Sequence, residues 1–183
     1  MMSRRLIQSE TGTRPTGFSL VELMVVVVIM GILSASVIPA MSSVRLMREG
    51  AARDDVVRYL NFARARAMAS GVEHGVQIDL ANSSMTLVSI DSLGAIQTDI
   101  DPLTGLTRTV SIADLYAGVS ITSMTNGDGA GGSGTIWYDF ESNPMTYDSF
   151  SSSFIVNALS ATITLSSGDQ VVVYPYSGTT EVQ

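Results

Sequence analysis

The chain has no cysteine and no lysine, and it has one histidine and one tryptophan among its 183 residues. Without cysteine there is no disulfide framework, no thiolate nucleophile and no zinc–thiolate site. The lone histidine, His74, follows Glu73 at an expected helix-to-strand corner, where a solvated surface side chain is expected rather than a general base. No serine lies in a G-x-S-x-G context. The glycine-rich stretch Asn126 to Gly134 lacks the lysine and following helix of a phosphate cradle. Enzymatic chemistry therefore has no support, and no cofactor is expected. Charge is also scarce: 15% of residues are charged, and 17 acids outnumber 10 bases, every one an arginine. A chain with 45% hydrophobic residues is not a disordered one, and a net charge of −7 is the wrong sign for a protein that neutralises phosphates.

Basic charge is unevenly placed. Residues 1–17 contain Arg4, Arg5 and Arg14 against Glu10, and six arginines lie between Arg45 and Arg66. Beyond that, Arg108 stands alone against twelve acidic residues. This divides the chain into a basic leader, a mixed helical stretch and a strongly acidic body. The length fits one domain of ordinary size with an appendage.

Hydrophobicity is just as local. From Leu23 to Val44, 22 residues pass without a charge, and a helix of that length reaches across a bilayer core of about 30 Å. With arginines ahead of the run, the acidic body is expected outside the cytoplasm. Three readings compete. A removable signal peptide would cut near Ser34-Ala35-Ser36, leaving an exported binding or enzymatic domain. A twin-arginine signal is suggested by Ser3-Arg4-Arg5-Leu6-Ile7, although a dozen polar residues separate those arginines from the run. The third reading turns on Glu22, a carboxylate at the mouth of an apolar helix, where it marks a function and requires a partner.

The stretch Gly17-Phe18-Ser19-Leu20-Val21-Glu22-Leu23-Met24, with the apolar run behind it, resembles the N-terminus of type IV prepilins and type II secretion pseudopilins. The resemblance implies cleavage by a prepilin peptidase between Gly17 and Phe18 and methylation of the Phe18 amine. Glu22, as fifth mature residue, would then pair with a neighbouring subunit's N-terminal amine. Pro39 falls where many members have a helix-bending proline, and a proline inside a helix removes a hydrogen bond and clashes with the preceding turn, so a kink or local unwinding is expected near Ala35 to Pro39.

Past the span, Val44, Met47 and Ala51, then Val56, Tyr59, Leu60, Ala63 and Ala67, recur at three- and four-residue intervals and predict an amphipathic continuation ending at Gly71. The period then changes to two. Strands are expected at Val76–Leu80 and Met85–Ile90 around an Asn82-Ser83 turn. Others are expected at Thr109–Ala113, Val119–Met124, Thr135–Phe140, Phe154–Ala158, Ala161–Leu165 and Gln170–Tyr174. The glycine-rich stretch reads as a flexible connection. A helix followed by strands predicts an α+β fold, a long helix packed on an antiparallel sheet. Its expected parts are a leader (1–17), a helix (18–70) whose first half (about 18–44) spans the membrane or fills a filament core, and a β-rich periplasmic body (71–183).

Arg58 to Ile78, with Ala63-Arg64-Ala65-Arg66-Ala67 running into a strand, is similar to the GspH/FimT branch of minor pseudopilins and pilins. This implies a minor pseudopilin of a type II secretion system or, alternatively, a FimT/FimU-like minor pilin of a type IV pilus. Such a subunit is held in the inner membrane and assembles with other pilins through its helix. FimT-like members that capture DNA use basic residues near the C-terminus. Here residues 177–183 contain none, so direct nucleic-acid binding is not expected. No metal site is expected either. Asp99 and Asp101 begin like a calcium loop, but Leu103 occupies a ligand position and no glutamate closes the loop, so a solvated acidic turn is the reading there.

Overall fold

The computed structural model describes residues 17–91, 93–100, 105–148, 151 and 153–183, with residues 35–41 described as helical backbone only. The chain divides into two compact units, Met1–Ser42 and Ser43–Gln183. Helix α1, Leu20–Ser70, runs through the boundary, so its second half is part of the same unit as the strands. It begins two residues after the expected start at Phe18.

In the first unit the described structure is the opening part of α1. Its backbone remains helical through Pro39, whose side chain is outside the described residues.

In the second unit one stripe of α1 is buried. Ala52, Val56, Leu60, Ala63 and Ala67 are almost fully covered, at the three- and four-residue spacing that puts side chains on one helix face. Three of the five are alanines, which bring the helix backbone close to what it packs on. Gly71 ends the helix with φ +69° and donates its N–H to the Ala67 carbonyl at 3.0 Å. Glycine takes this left-handed turn without steric cost.

Two antiparallel sheets follow. The first is built from β1 (His74–Asp79), β2 (Ser84–Ile90), β3 (Ile96–Thr98), β4 (Thr109–Ser111), β6 (Gly134–Tyr138), β7 (Pro144–Asp148) and β8 (Ser153–Val156), in the order β3-β2-β1-β6-β7-β8. Strands β4 and β3 share the outer edge of β2, β4 pairing with its Ser84–Thr86 and β3 with its Val88–Ile90. The second sheet has the order β11-β10-β9-β5, from β5 (Ile121–Thr125), β9 (Ala161–Leu165), β10 (Gln170–Val173) and β11 (Thr180–Val182). The expected α+β architecture is therefore present.

Alternation assigns the faces. Val76 and Ile78 of β1, Met85 and Leu87 of β2, and Ile136 and Tyr138 of β6 join the helix stripe in one core. Met124, Ile163, Leu165, Val171 and Val173 of the second sheet join it as well. The intervening residues build a smaller cluster of Val88, Trp137 and Met145, flanked by Ile90, Tyr147 and Phe154. Trp137 meets Phe154 edge-on at 5.3 Å, and Tyr147 lies 5.1 Å from the same ring. Gly75 is what lets these strands close. It is paired opposite Trp137, and a Cβ there would sit 2.9 Å from the Ile136 carbonyl oxygen and from the Trp137 ring.

Three expectations are corrected. The strand expected over Thr109–Ala113 stops at Ser111, because the Ser111 hydroxyl accepts the Asp114 N–H at 3.2 Å and caps a short helix α2, Ile112–Leu115. The glycine-rich stretch is a tied turn rather than a loose connection. Asn126 donates to the Ala130 carbonyl at 2.8 Å, Gly132 to Met124 at 3.1 Å and Leu159 to Gly127 at 3.1 Å, and the Asp128 carboxylate accepts the Ala130 N–H. His74 is buried, 7% exposed, because the residue after the corner already belongs to β1.

Candidate functional site

The N-terminal candidates lie at the start of α1. Gly17 and Phe18 precede the helix and both are exposed, leaving the expected cleavage junction accessible. Glu22 falls in the helix's first turn, where a negative charge meets the positive end of the macrodipole. Around it, Leu20, Val21, Leu23, Met24 and the valines from Val25 to Val28 are all exposed. Among the described residues Glu22 has no hydrogen-bond or ion-pair partner. Among the described residues no helix is long and apolar enough to cross a membrane.

Several arginines of α1 are held by acids. Arg45 meets Glu49 at 2.7 Å, Arg58 meets Asp55 at 2.8 Å and Arg66 meets Asp99 at 3.1 Å. Asp55 also accepts the Tyr116 hydroxyl at 2.6 Å, a bond that raises the Tyr116 phenol pKa and ties α1 to the turn after α2. Asp99, one of the two calcium candidates, is buried and its Oδ1 faces Arg66. Its backbone is fixed as well, donating to Leu87 at 2.8 Å and accepting from Arg108 at 3.2 Å. Asp101 is outside the described residues. No cluster of three or more His, Cys, Asp or Glu suited to a metal occurs among the described residues.

His74 Nε2 lies 3.0 Å from the Ser70 hydroxyl, linking the last helical residue to the first strand. Burial pushes its imidazole pKa below the usual value, with Asp99 opposing and Arg66 adding to the shift. Also in the C-terminal part of α1, Arg64 donates to the Ser142 hydroxyl at 3.3 Å. Tyr138 is fully buried, which drives its phenol pKa far above the ordinary range.

Sequence reasoning did not single out the concavity lined by Arg58, Tyr59, Phe62, Leu87 and Arg108, with a volume of about 200 Å³. The Arg108 guanidinium lies over the Phe62 ring at 4.5 Å. Burial raises the Tyr59 phenol pKa, and the nearby charges of Arg58 and Arg108 lower it. The available signal was that Arg108 is the one base in an acidic body, while Arg58 and Phe62 are four apart on α1.

Residues 13–38 match the prokaryotic N-terminal methylation motif. Two structures of the minor pseudopilin EpsH from the type 2 secretion system of Vibrio cholerae are similar to this chain. One has a TM-score of 0.53 at 12% identity, covering 74% of this chain and 94% of EpsH. The other has a TM-score of 0.50 at 12% identity, covering 72% and 92%. At that identity the fold is what they share. No curated protein matches the sequence. The chain therefore joins an N-terminal methylation motif at the head of a long helix to an α+β fold like that of a minor pseudopilin. The motif implies processing by a prepilin peptidase and assembly with other pilins.

Proposed function

We propose that the chain is a non-enzymatic minor pseudopilin of a type II secretion system. It is cleaved between Gly17 and Phe18, methylated on the Phe18 amine and assembled into a periplasmic pseudopilus through α1. Before assembly it is held in the inner membrane by one span over about residues 18–44, with the body in the periplasm. The observation that carries this reading is the methylation motif at residues 13–38 joined to a fold like that of EpsH. The chemistry supports it. The exposed apolar surface of α1 drives bundling, and Glu22 favours the register in which it meets a neighbour's N-terminal amine, because an unpaired carboxylate in an apolar environment is costly. A bend at Pro39 would adapt α1 to its neighbours.

Mass spectrometry of the protein recovered from membranes tests the processing step. The expected N-terminus is methyl-Phe18. A mature start near residues 37–42 would instead identify a removable signal and an exported domain. Crosslinking in cells tests the assembly, with adducts to other pseudopilins expected. Adducts to type IV pilus subunits alone would assign the chain to that filament.

A further inference from the structure

We propose that the concavity formed by Arg58, Tyr59, Phe62, Leu87 and Arg108 is a docking site for an acidic, apolar peptide segment of a partner protein. Its volume of about 200 Å³ is below the roughly 300 Å³ at which pockets for drug-sized ligands begin, and it suits a single apolar side chain. Phe62 and Leu87 supply apolar surface from two elements, α1 and β2. Arginines stand on both sides: Arg58, with a side chain 70% exposed and anchored by Asp55, and Arg108, stacked on Phe62. A guanidinium offers a planar fork that fits a carboxylate and can stack on a ring at the same time, which a lysine ammonium cannot do.

Charge complementarity selects the occupant. Every other basic residue of the chain lies at or before Arg66, and Arg108 is the only one in the acidic body. The fold brings Arg108 of the body back to Arg58 of α1, so two guanidinium groups flank one apolar hole, Arg58 keeping its contact with Asp55. A nucleic acid carries the same sign as the surrounding surface along its whole length and would be repelled outside this spot. A peptide with one apolar side chain flanked by carboxylates fills the hole and meets both arginines. The inference holds whichever filament the chain joins, since it concerns a surface of the body.

The test uses the full chain in detergent micelles with ¹³C-labelled leucine methyls. The probes are the peptide acetyl-Asp-Leu-Glu-amide and its neutral counterpart acetyl-Asn-Leu-Gln-amide. The acidic peptide should shift the Leu87 methyl signals saturably, and the neutral one should not. The double variant R58Q/R108Q should bind about tenfold more weakly, the loss of roughly one charge-assisted contact. Because Arg108 also packs on Phe62, R58Q alone serves as the variant least able to disturb folding, and it should weaken binding severalfold with Trp137 emission unchanged. No saturable shift, an equal response to the neutral peptide, or unchanged affinity in R58Q would overturn the proposal.

Discussion

Glu22 and Asp99 are two carboxylates placed in apolar surroundings, and they differ in who supplies the counter-charge. Asp99 is paired within the chain. Removing Arg66 would strand its carboxylate in the core, whereas removing Asp99 leaves an arginine that is 34% exposed in its side chain and can reach water. We therefore expect R66A to cost about 2–3 kcal/mol and D99N less, a smaller penalty than for a fully buried pair because Arg66 is partly solvated. Urea unfolding of both variants checks the order, and equal or reversed costs would mean that the stranded Asp99 carboxylate is not what makes R66A costly. Glu22 depends on another molecule. E22A should leave processing and folding of the body intact and abolish incorporation into the filament, read by crosslinking in cells; normal incorporation would remove that role. His74 carries a pH dependence. Its folded pKa is depressed relative to about 6.5 in the unfolded chain, so the folded state binds fewer protons. Stability from this site is then full above about pH 6.5 and falls as pH drops below it. The difference in urea midpoint between wild type and H74Q should narrow or invert from pH 7.5 to pH 5; a constant difference would contradict the assignment. The methylation motif over residues 13–38 was legible because a motif is local. His74 was misread because nothing in Val72-Glu73-His74 reveals that the strand begins at once and turns the imidazole inward.

Helix α1 and the hairpin β1–β2 were readable because each has one buried face over many residues, so their periods survive in sequence. The elements that escaped notice lack that property. All three residues of β3 are exposed, β7 opens with Pro144, which weakens a strand signal, and β11 is a three-residue edge at the C-terminus. Packing of the readable elements sets the expected mutational costs. L60A removes a fully buried side chain from the stripe that faces both sheets and should cost about 2–5 kcal/mol. G75A should be nearly as damaging, about 2–3 kcal/mol, although it adds one methyl, because that methyl meets the Ile136 backbone rather than a flexible side chain. A G75A protein with wild-type thermal stability would show that β1 and β6 can separate more easily than their pairing indicates.

For the whole molecule, the division at Ser42 and Ser43 assigns every buried hydrophobic among the described residues to one unit. A fragment covering residues 43–183 should be soluble, unfold cooperatively and keep the full-length protein's urea midpoint; an aggregated fragment would mean that the first unit contributes to the fold. The α+β architecture could be anticipated from helix-then-strand order, but the meeting of Arg108 with Arg58 and Phe62 could not, since it depends on how the chain between β2 and β4 returns to the helix. The same charge layout predicts that duplex DNA will not retain the protein at 0.15 M salt.

Trp137 is the chain's single tryptophan. It is 1% exposed on the sheet face away from the main core and is covered by Phe154 of the edge strand β8. Its fluorescence is therefore an optical gauge built into one margin of the body. Emission that shifts to the red before the far-ultraviolet signal of α1 decays would mark β8 as the first strand to leave, identifying the seam at which the sheet opens.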